Sequence, residues 1–157
     1  MPGRPLAGYE AAQGVLKRDV GLALARVQRE LAPTNRSLKM LDCYRPVGAV
    51  HDMVVWARNG RETPAERRYN PAFSKKDLFR LGYVAEHSGH STGLAVDLTL
   101  VDLTAGNSAA YDPDKAYADC TAPARQGFVN YSKEWWHFSL PGAAGPAYDF
   151  PVTARHN

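Results

Sequence analysis

The run from Leu94 to Val101 carries the tightest constraint on the fold. Leu94, Val96, Leu98 and Leu100 alternate with Ala95, Asp97, Thr99 and Val101, the period of a strand whose first set fills one sheet face while Asp97 points from the other. A carboxylate on so apolar a strand needs a partner to offset its loss of water.

Helical periodicity frames this strand. From Asp19, read as the N-cap, Val20, Leu24, Val27 and Leu31 recur along one helix face, and Pro33 ends the pattern. Leu38 to Tyr44 reads as a short strand. Arg45-Pro46 then opens a second helix with Val47, Val50, Val54 and Ala57 on a shared face. Ser74 and Asp77 resemble a capping box for a short helix that Gly82 closes. Phe128 to Leu140, rich in aromatics and ended by Pro141, favours a strand. Arg58 to Pro71 reads as a surface excursion and a candidate lid, Thr104 to Gln126 as a long connection without period, and the tail after Pro141 as irregular. The fold class expected is α+β: a small central antiparallel sheet flanked by helices, with a cleft on the sheet. At 157 residues the chain fits one domain, since domains run to roughly 100–200 residues.

Two segments look built for a metal: Ser88-Gly89-His90-Ser91-Thr92-Gly93-Leu94-Ala95-Val96-Asp97 and Glu134-Trp135-Trp136-His137. With His90, Asp97 and His137 as ligands, tetrahedral zinc keeps a fourth position for water, whose pKa can fall to about 7. Ser91-Thr92-Gly93 can turn the chain so that a loop ligand and a strand ligand converge, glycine permitting the turn. Glu134 stands three residues before His137, and on a regular strand such positions face opposite ways. To reach the water, Glu134 has to lie at the strand entry or on a bulge. Trp135 and Trp136, on opposite faces, are expected to enter the core and to wall the cleft, one each. His51, His87 and His156 have no partner at an informative spacing and are read as structural or solvent-exposed. The donor set alone would also accept cobalt or nickel.

With these residues assembled, the chain resembles the zinc D-alanyl-D-alanine dipeptidases, the family that includes the vancomycin-resistance dipeptidases, within the wider group of zinc peptidoglycan D,D-peptidases. The resemblance rests on Gly3-Arg4-Pro5-Leu6 with Gly8-Tyr9, Asp42-Cys43-Tyr44-Arg45-Pro46, Ser88 to Leu100, and Gly127-Phe128 through Glu134-Trp135-Trp136-His137-Phe138. It implies one zinc ion held by His90, Asp97 and His137, with Glu134 as catalytic base and acid. It further implies that Arg45 stabilises the transition state and that Ser88 lines the substrate pocket. The implied substrate is the free dipeptide D-alanyl-D-alanine. The enzyme alternative is a D,D-carboxypeptidase or endopeptidase on longer cell-wall peptides, which an open groove would favour. A non-catalytic zinc-binding module of the same fold is the alternative outside enzymology, and the retained Glu134 and Arg45 argue against it.

The chain departs from the family pattern in two places. It begins near the Gly-Arg-x-Leu-x-Gly-Tyr block, without the aromatic-rich segment that usually precedes it. Gln126 also runs directly into Gly127-Phe128, where family members carry a Met-Gly-Thr-x-Phe-Asp segment and a helix. Losing a core helix would expose its packing surface, so residues missing from this sequence near 126–127 are expected rather than a true deletion.

Charge excludes little but is informative. Nineteen Lys and Arg against 16 Asp and Glu give a net charge of +3, far from a nucleic-acid-binding stripe. No apolar run is long enough to cross a bilayer, so neither nucleic acid nor membrane insertion is expected, and oligomeric state is not legible. Cys43 and Cys120 are either bridged or two reduced thiols. A bridge and a wall-derived substrate favour the periplasm over the cytoplasm, although the visible start carries no export signal.

Overall fold

The computed structural model describes residues 4–64, 67, 73–104, 121–142 and 145–154. Cys120, His156, most of the long connection and much of the candidate lid lie outside the described residues.

Helix α1 spans Arg18–Leu31 and buries Val20, Ala23, Leu24, Val27 and Leu31, the stripe expected from its sequence. Its cap is Lys17, with no side-chain hydrogen bond, and Asp19 lies in the first turn. Asp19 therefore acts through its charge at the positive helix end instead of capping it, and the Lys17 N–H is taken by the Gly93 carbonyl at 3.0 Å.

A short 3-10 turn, Ala32–Thr34, leads through Asn35 in the left-handed region (φ 55°) into strand β1, Arg36–Asp42. The strand starts and ends two residues before the limits read from sequence. Helix α2, Val47–Arg58, buries Val50, Val54 and Ala57 as expected, but Val47 is 40% exposed and Pro46 is the cap residue. Its first amides are served by the C-terminal segment: Val47 N donates to the Tyr148 carbonyl at 3.1 Å and Gly48 N to Asp149 Oδ1 at 2.6 Å. Helix α3, Lys75–Leu81, opens on the expected box, with the Ser74 N–H and hydroxyl both donating to Asp77 Oδ2. It closes on Gly82 (φ 84°), where Gly82 N reaches the Phe79 carbonyl and Tyr83 N the Leu78 carbonyl, a Schellman end.

Strand β2 is Ala95–Asp102. The segment read as one strand from Phe128 to Leu140 is instead a hairpin, β3 Val129–Tyr131 and β4 Glu134–Ser139. Ser132 and Lys133 form the turn that the aromatic content masked. A short helix α4, Thr121–Arg125, precedes it. Gly127 (φ 87°) closes this helix, with Gly127 N on the Ala124 carbonyl and Phe128 N on the Pro123 carbonyl.

The four strands form an antiparallel sheet in the order β1-β2-β4-β3. Val96, Leu98 and Phe138 pack with the α1 stripe into the main core, each fully buried aliphatic side chain contributing about 1.5–3 kcal/mol. A second cluster joins α2 and α3 through Val50, Val54, Trp56, Ala57 and Leu78. With α1 covering one sheet face, the opposite face, which carries Asp97, is left for the cleft. No helix among the described residues is long and apolar enough to cross a membrane.

Candidate metal centre

Ser88 caps a 3-10 turn, Gly89–Thr92, by accepting from His90 N at 3.3 Å, and Gly93 (φ 72°) turns the chain out of it toward β2. The expected loop-then-strand arrangement is thus built by a glycine in the left-handed region. His90 is 2% exposed. Its Nδ1 lies 2.6 Å from the Cys43 carbonyl. A carbonyl only accepts, so Nδ1 carries the proton and Nε2 keeps its lone pair for a ligand.

That lone pair faces two others. His90 Nε2 is 3.2 Å from Asp97 Oδ1 and 3.1 Å from His137 Nδ1, and His137 Nδ1 is 3.0 Å from Asp97 Oδ1. Asp97 and His137 are direct cross-strand partners, which brings their side chains together on the face away from α1. Burial pushes the Asp97 carboxyl up, but the adjacent imidazoles of His137 and His90, where they carry a second proton in place of a metal, outweigh it and hold the group at about 2.

Glu134 is the first residue of β4, opposite Tyr131, where the β3–β4 register shifts. This is the strand-entry position its parity required. Its Oε2 lies 3.7 Å from His137 Nδ1. Burial first, then the Asp97 charge, raises its carboxyl from its ordinary value, against the lowering effect of His137.

Arg45 reaches the same cleft, gripped by Asp42. Arg45 Nε and Nη2 both donate to Asp42 Oδ2, at 3.0 and 2.6 Å, while Asp42 Oδ1 accepts from the Tyr9 hydroxyl at 3.0 Å and from Cys43 N at 2.9 Å. Burial works against the Arg45 charge, but Asp42 more than restores it. Asp42 and Tyr9 are functional candidates that the sequence reading left without a role. The sequence signals for Asp42 were its place in the Asp42-Cys43-Tyr44-Arg45-Pro46 block and its position three residues before Arg45.

The position of Asp42 depends on a bulge. Met40 pairs with Leu98, yet Asp42 pairs with Asp97, so Leu41 is an extra residue that reverses strand parity. Asp42 is thereby brought directly opposite Asp97.

Two cavities meet at this point. One, of about 600 Å³, is lined by His90, Asp97, Glu134, His137, Ser88 and Arg45; the other, of about 460 Å³, shares Arg45, Asp97, Met53 and Trp136 with it. Ser88 therefore borders the cleft while capping the loop. His87 is exposed, as expected, but also borders the larger cavity. Neither tryptophan enters the core: both are half-buried cleft-wall residues, packed edge to face at 5.2 Å. The irregular entry of β4 ahead of the Asp97–His137 pair breaks the alternation that would have separated them.

Two imidazoles and one carboxylate converging on a single point, with a second carboxylate beside it, are the donor set of single-metal hydrolytic centres. A family model described as D-ala-D-ala dipeptidase matches residues 1–111, a span that includes Arg45, Ser88, His90 and Asp97. D-alanyl-D-alanine dipeptidase from Streptomyces coelicolor is 32% identical over 173 aligned residues, covering 96% of this chain and 86% of the relative. The Enterococcus faecalis enzyme of the same name is 30% identical over 159 residues, covering 88% and 79%. The chain belongs to the D-alanyl-D-alanine dipeptidase family. Its fold is that of the vancomycin-resistance D,D-pentapeptidase VanY, a mutant of which was solved in complex with Zn(II). That structure has a TM-score of 0.57 at 17% identity and covers 88% of this chain and 80% of its own. VanYB in complex with D-alanine-D-alanine gives 0.55 at 14% identity, covering 90% and 81%.

Proposed function

We propose that this protein is a zinc peptidase that hydrolyses D-alanyl-D-alanine. The carrying observation is the convergence of His90 Nε2, Asp97 Oδ1 and His137 Nδ1 within 3.0–3.2 Å of one another. Ligands about 2.0–2.1 Å from a tetrahedral zinc stand roughly 3.3 Å apart, so these three atoms fit one ion with little movement. The names of the relatives and the VanYB complex support the substrate.

Bound zinc supplies Lewis acidity and lowers the pKa of water to about 7. Glu134, beside His137, takes the proton from the attacking water and returns it to the departing amine. Burial raises its carboxyl above its ordinary value, the direction that favours a group serving first as base and then as acid. Arg45, fixed by Asp42, places a permanent positive charge where the carbonyl oxygen gains negative charge. Ser88 borders the pocket and holds the loop that carries His90.

Elemental analysis of purified protein, paired with an assay of alanine release from D-alanyl-D-alanine, tests this reading. One zinc per chain and hydrolysis abolished by a chelator and restored by zinc are expected. A fully zinc-loaded chain with no hydrolysis of any D,D-peptide would overturn it.

A further inference from the structure

The irregular segment from Tyr148 to Val152 supplies no side chain to the metal centre, yet it is hydrogen-bonded to the chain neighbours of the residues that form it. Tyr148 N donates to the Ser91 carbonyl at 2.8 Å, and the Tyr148 carbonyl accepts from Val47 N at 3.1 Å. One residue thus joins the loop that carries His90 to the first turn of α2, which follows Arg45. Asp149 Oδ1 accepts from Gly48 N at 2.6 Å. The Tyr44 hydroxyl accepts from Phe150 N and donates to the Phe150 carbonyl, both at 3.1 Å, and the two rings stack at 4.4 Å. Val152 N donates to the Gly8 carbonyl at 2.7 Å, and the Val152 carbonyl accepts from Glu10 N at 3.0 Å. Those two contacts flank Tyr9, whose hydroxyl meets Asp42.

The start of α2 depends on this segment. Pro46, its cap residue, makes no side-chain hydrogen bond, and the first amides of a helix need acceptors from outside it. Asp149 supplies the acceptor that an N-cap side chain would otherwise provide. The direct tie between the two functional segments, Arg45 N to the His90 carbonyl, is longer, at 3.3 Å. Tyr44, only 2% exposed, stands between Cys43, whose carbonyl holds His90 Nδ1, and Arg45 itself. We propose that Tyr148–Val152 is a positioning strap for Arg45: it ties the start of α2 to the His90 loop and so fixes where the guanidinium stands relative to the metal ligands, with Asp149 as its handle on the helix. The proposal rests on the peptidase reading above for what Arg45 does, and concerns how that residue is placed.

The test measures kcat and KM of the zinc-loaded full chain on D-alanyl-D-alanine for Asp149→Ala and Asp149→Asn, each alone and combined with Arg45→Ala. Because small misplacements of a charge-stabilising group are costly, Asp149→Ala should lower kcat by about tenfold with KM within about twofold of the parent. Asp149→Asn keeps an acceptor oxygen and should retain most of the rate. In the Arg45→Ala background Asp149→Ala should cost nothing further, since effects routed through one residue do not add. Tyr44→Phe, which keeps the stacked ring and deletes both hydrogen bonds to Phe150, should act in the same direction and carries the same cycle if Asp149→Ala does not fold. The nitrogen-15 NMR signal of the Arg45 Nε–H, identified by its absence from Arg45→Ala, gives a readout without turnover. It should shift or broaden in Asp149→Ala and return in Asp149→Asn. With an active parent, kcat within about twofold in Asp149→Ala, an equal loss in both backgrounds, or an equal loss with alanine and asparagine overturns the proposal. With a parent that cleaves no D,D-peptide, an unmoved Nε–H signal overturns it, whereas a signal that follows Asp149 sustains the strap and sinks the peptidase reading.

Discussion

The Nδ1–H of His90 is held by the main-chain carbonyl of Cys43 at 2.6 Å. One hydrogen bond fixes both the tautomer and the ring plane of the proposed metal ligand, and it ties the 3-10 loop to the end of β1. Because the acceptor is backbone, Cys43→Ala should leave zinc stoichiometry unchanged while costing about 1 kcal/mol of core packing. Zinc content and thermal denaturation measured on the same preparation check both halves. Loss of zinc at retained fold would show that the thiol itself holds the site.

The Cys43 thiol is buried and, among the described residues, unbridged, and burial, followed by the charges of Asp42 and Asp97, pushes it up to about 11. At pH 8 it should react with a disulfide reagent far more slowly in folded than in unfolded protein, because the thiolate is the nucleophile. Whether Cys43 is bridged to Cys120 or both are reduced thiols is tested by the same titration. Two thiols in unfolded, unreduced protein exclude it.

Removing the proton carrier should separate binding from chemistry. Glu134→Gln is expected to lower kcat by about 10²–10⁴-fold with one zinc per chain retained. Activity within twofold of the parent would remove Glu134 from the reaction.

Asp42 grips Arg45 through both Nε and Nη2. Arg45→Ala should cost about 3–4 kcal/mol of barrier. Asp42→Asn, which keeps the shape but weakens the grip, should lower kcat by up to about 100-fold through misplacement of the guanidinium, with a smaller change in KM. Equal loss in kcat and stability across Asp42→Asn and Tyr9→Phe would reduce this network to a structural role.

Gly93 stands at φ 72°, and an added Cβ would come within 3.3 Å of Lys17 N. Gly93→Ala should destabilise the protein by about 1–2 kcal/mol and weaken zinc binding, since the same turn sets His90 against Asp97. Denaturant unfolding of metal-free protein and competitive zinc titration report the two effects separately.

Asp52 anchors the N-terminal segment by accepting from Arg4 and from Ala7 N, both at 2.9 Å. The Arg4 hydrogen bond, then that of Ala7, lowers its carboxyl below the ordinary 3.8. A lowered folded-state value means the anchoring is complete above about 3.8 and is lost as pH falls through the depressed value. The protection factor of the Ala7 amide, taken against its intrinsic exchange rate at each pH, should therefore fall on acidification in the parent and be low at every pH in Asp52→Asn.

Several elements were legible because their determinants are local. The alternation in Leu94 to Val101 fixed which face Asp97 takes, the spacing of Val20, Leu24, Val27 and Leu31 fixed the buried side of α1, and Ser74 with Asp77 fixed the start of α3. Parity between Glu134 and His137 placed the former at a strand entry. The residues expected at the metal centre, His90, Asp97 and His137, meet as their segments suggested, and Glu134 and Arg45 border the same cleft.

Other features have no local signature. The bulge at Leu41, which sets Asp42 opposite Asp97, is visible only in the pairing of β1 with β2. The hairpin turn at Ser132-Lys133 was hidden by its aromatic neighbours. The first amides of α2 found their acceptors in Tyr148 and Asp149, far along the chain. A sequence states the period and capping chemistry of each segment, because neighbouring residues alone determine them. Which carboxylate grips Arg45, and how much space lies beyond it, were decided by the pairing of strands distant in sequence, where the register of one ladder sets the face of every side chain on it.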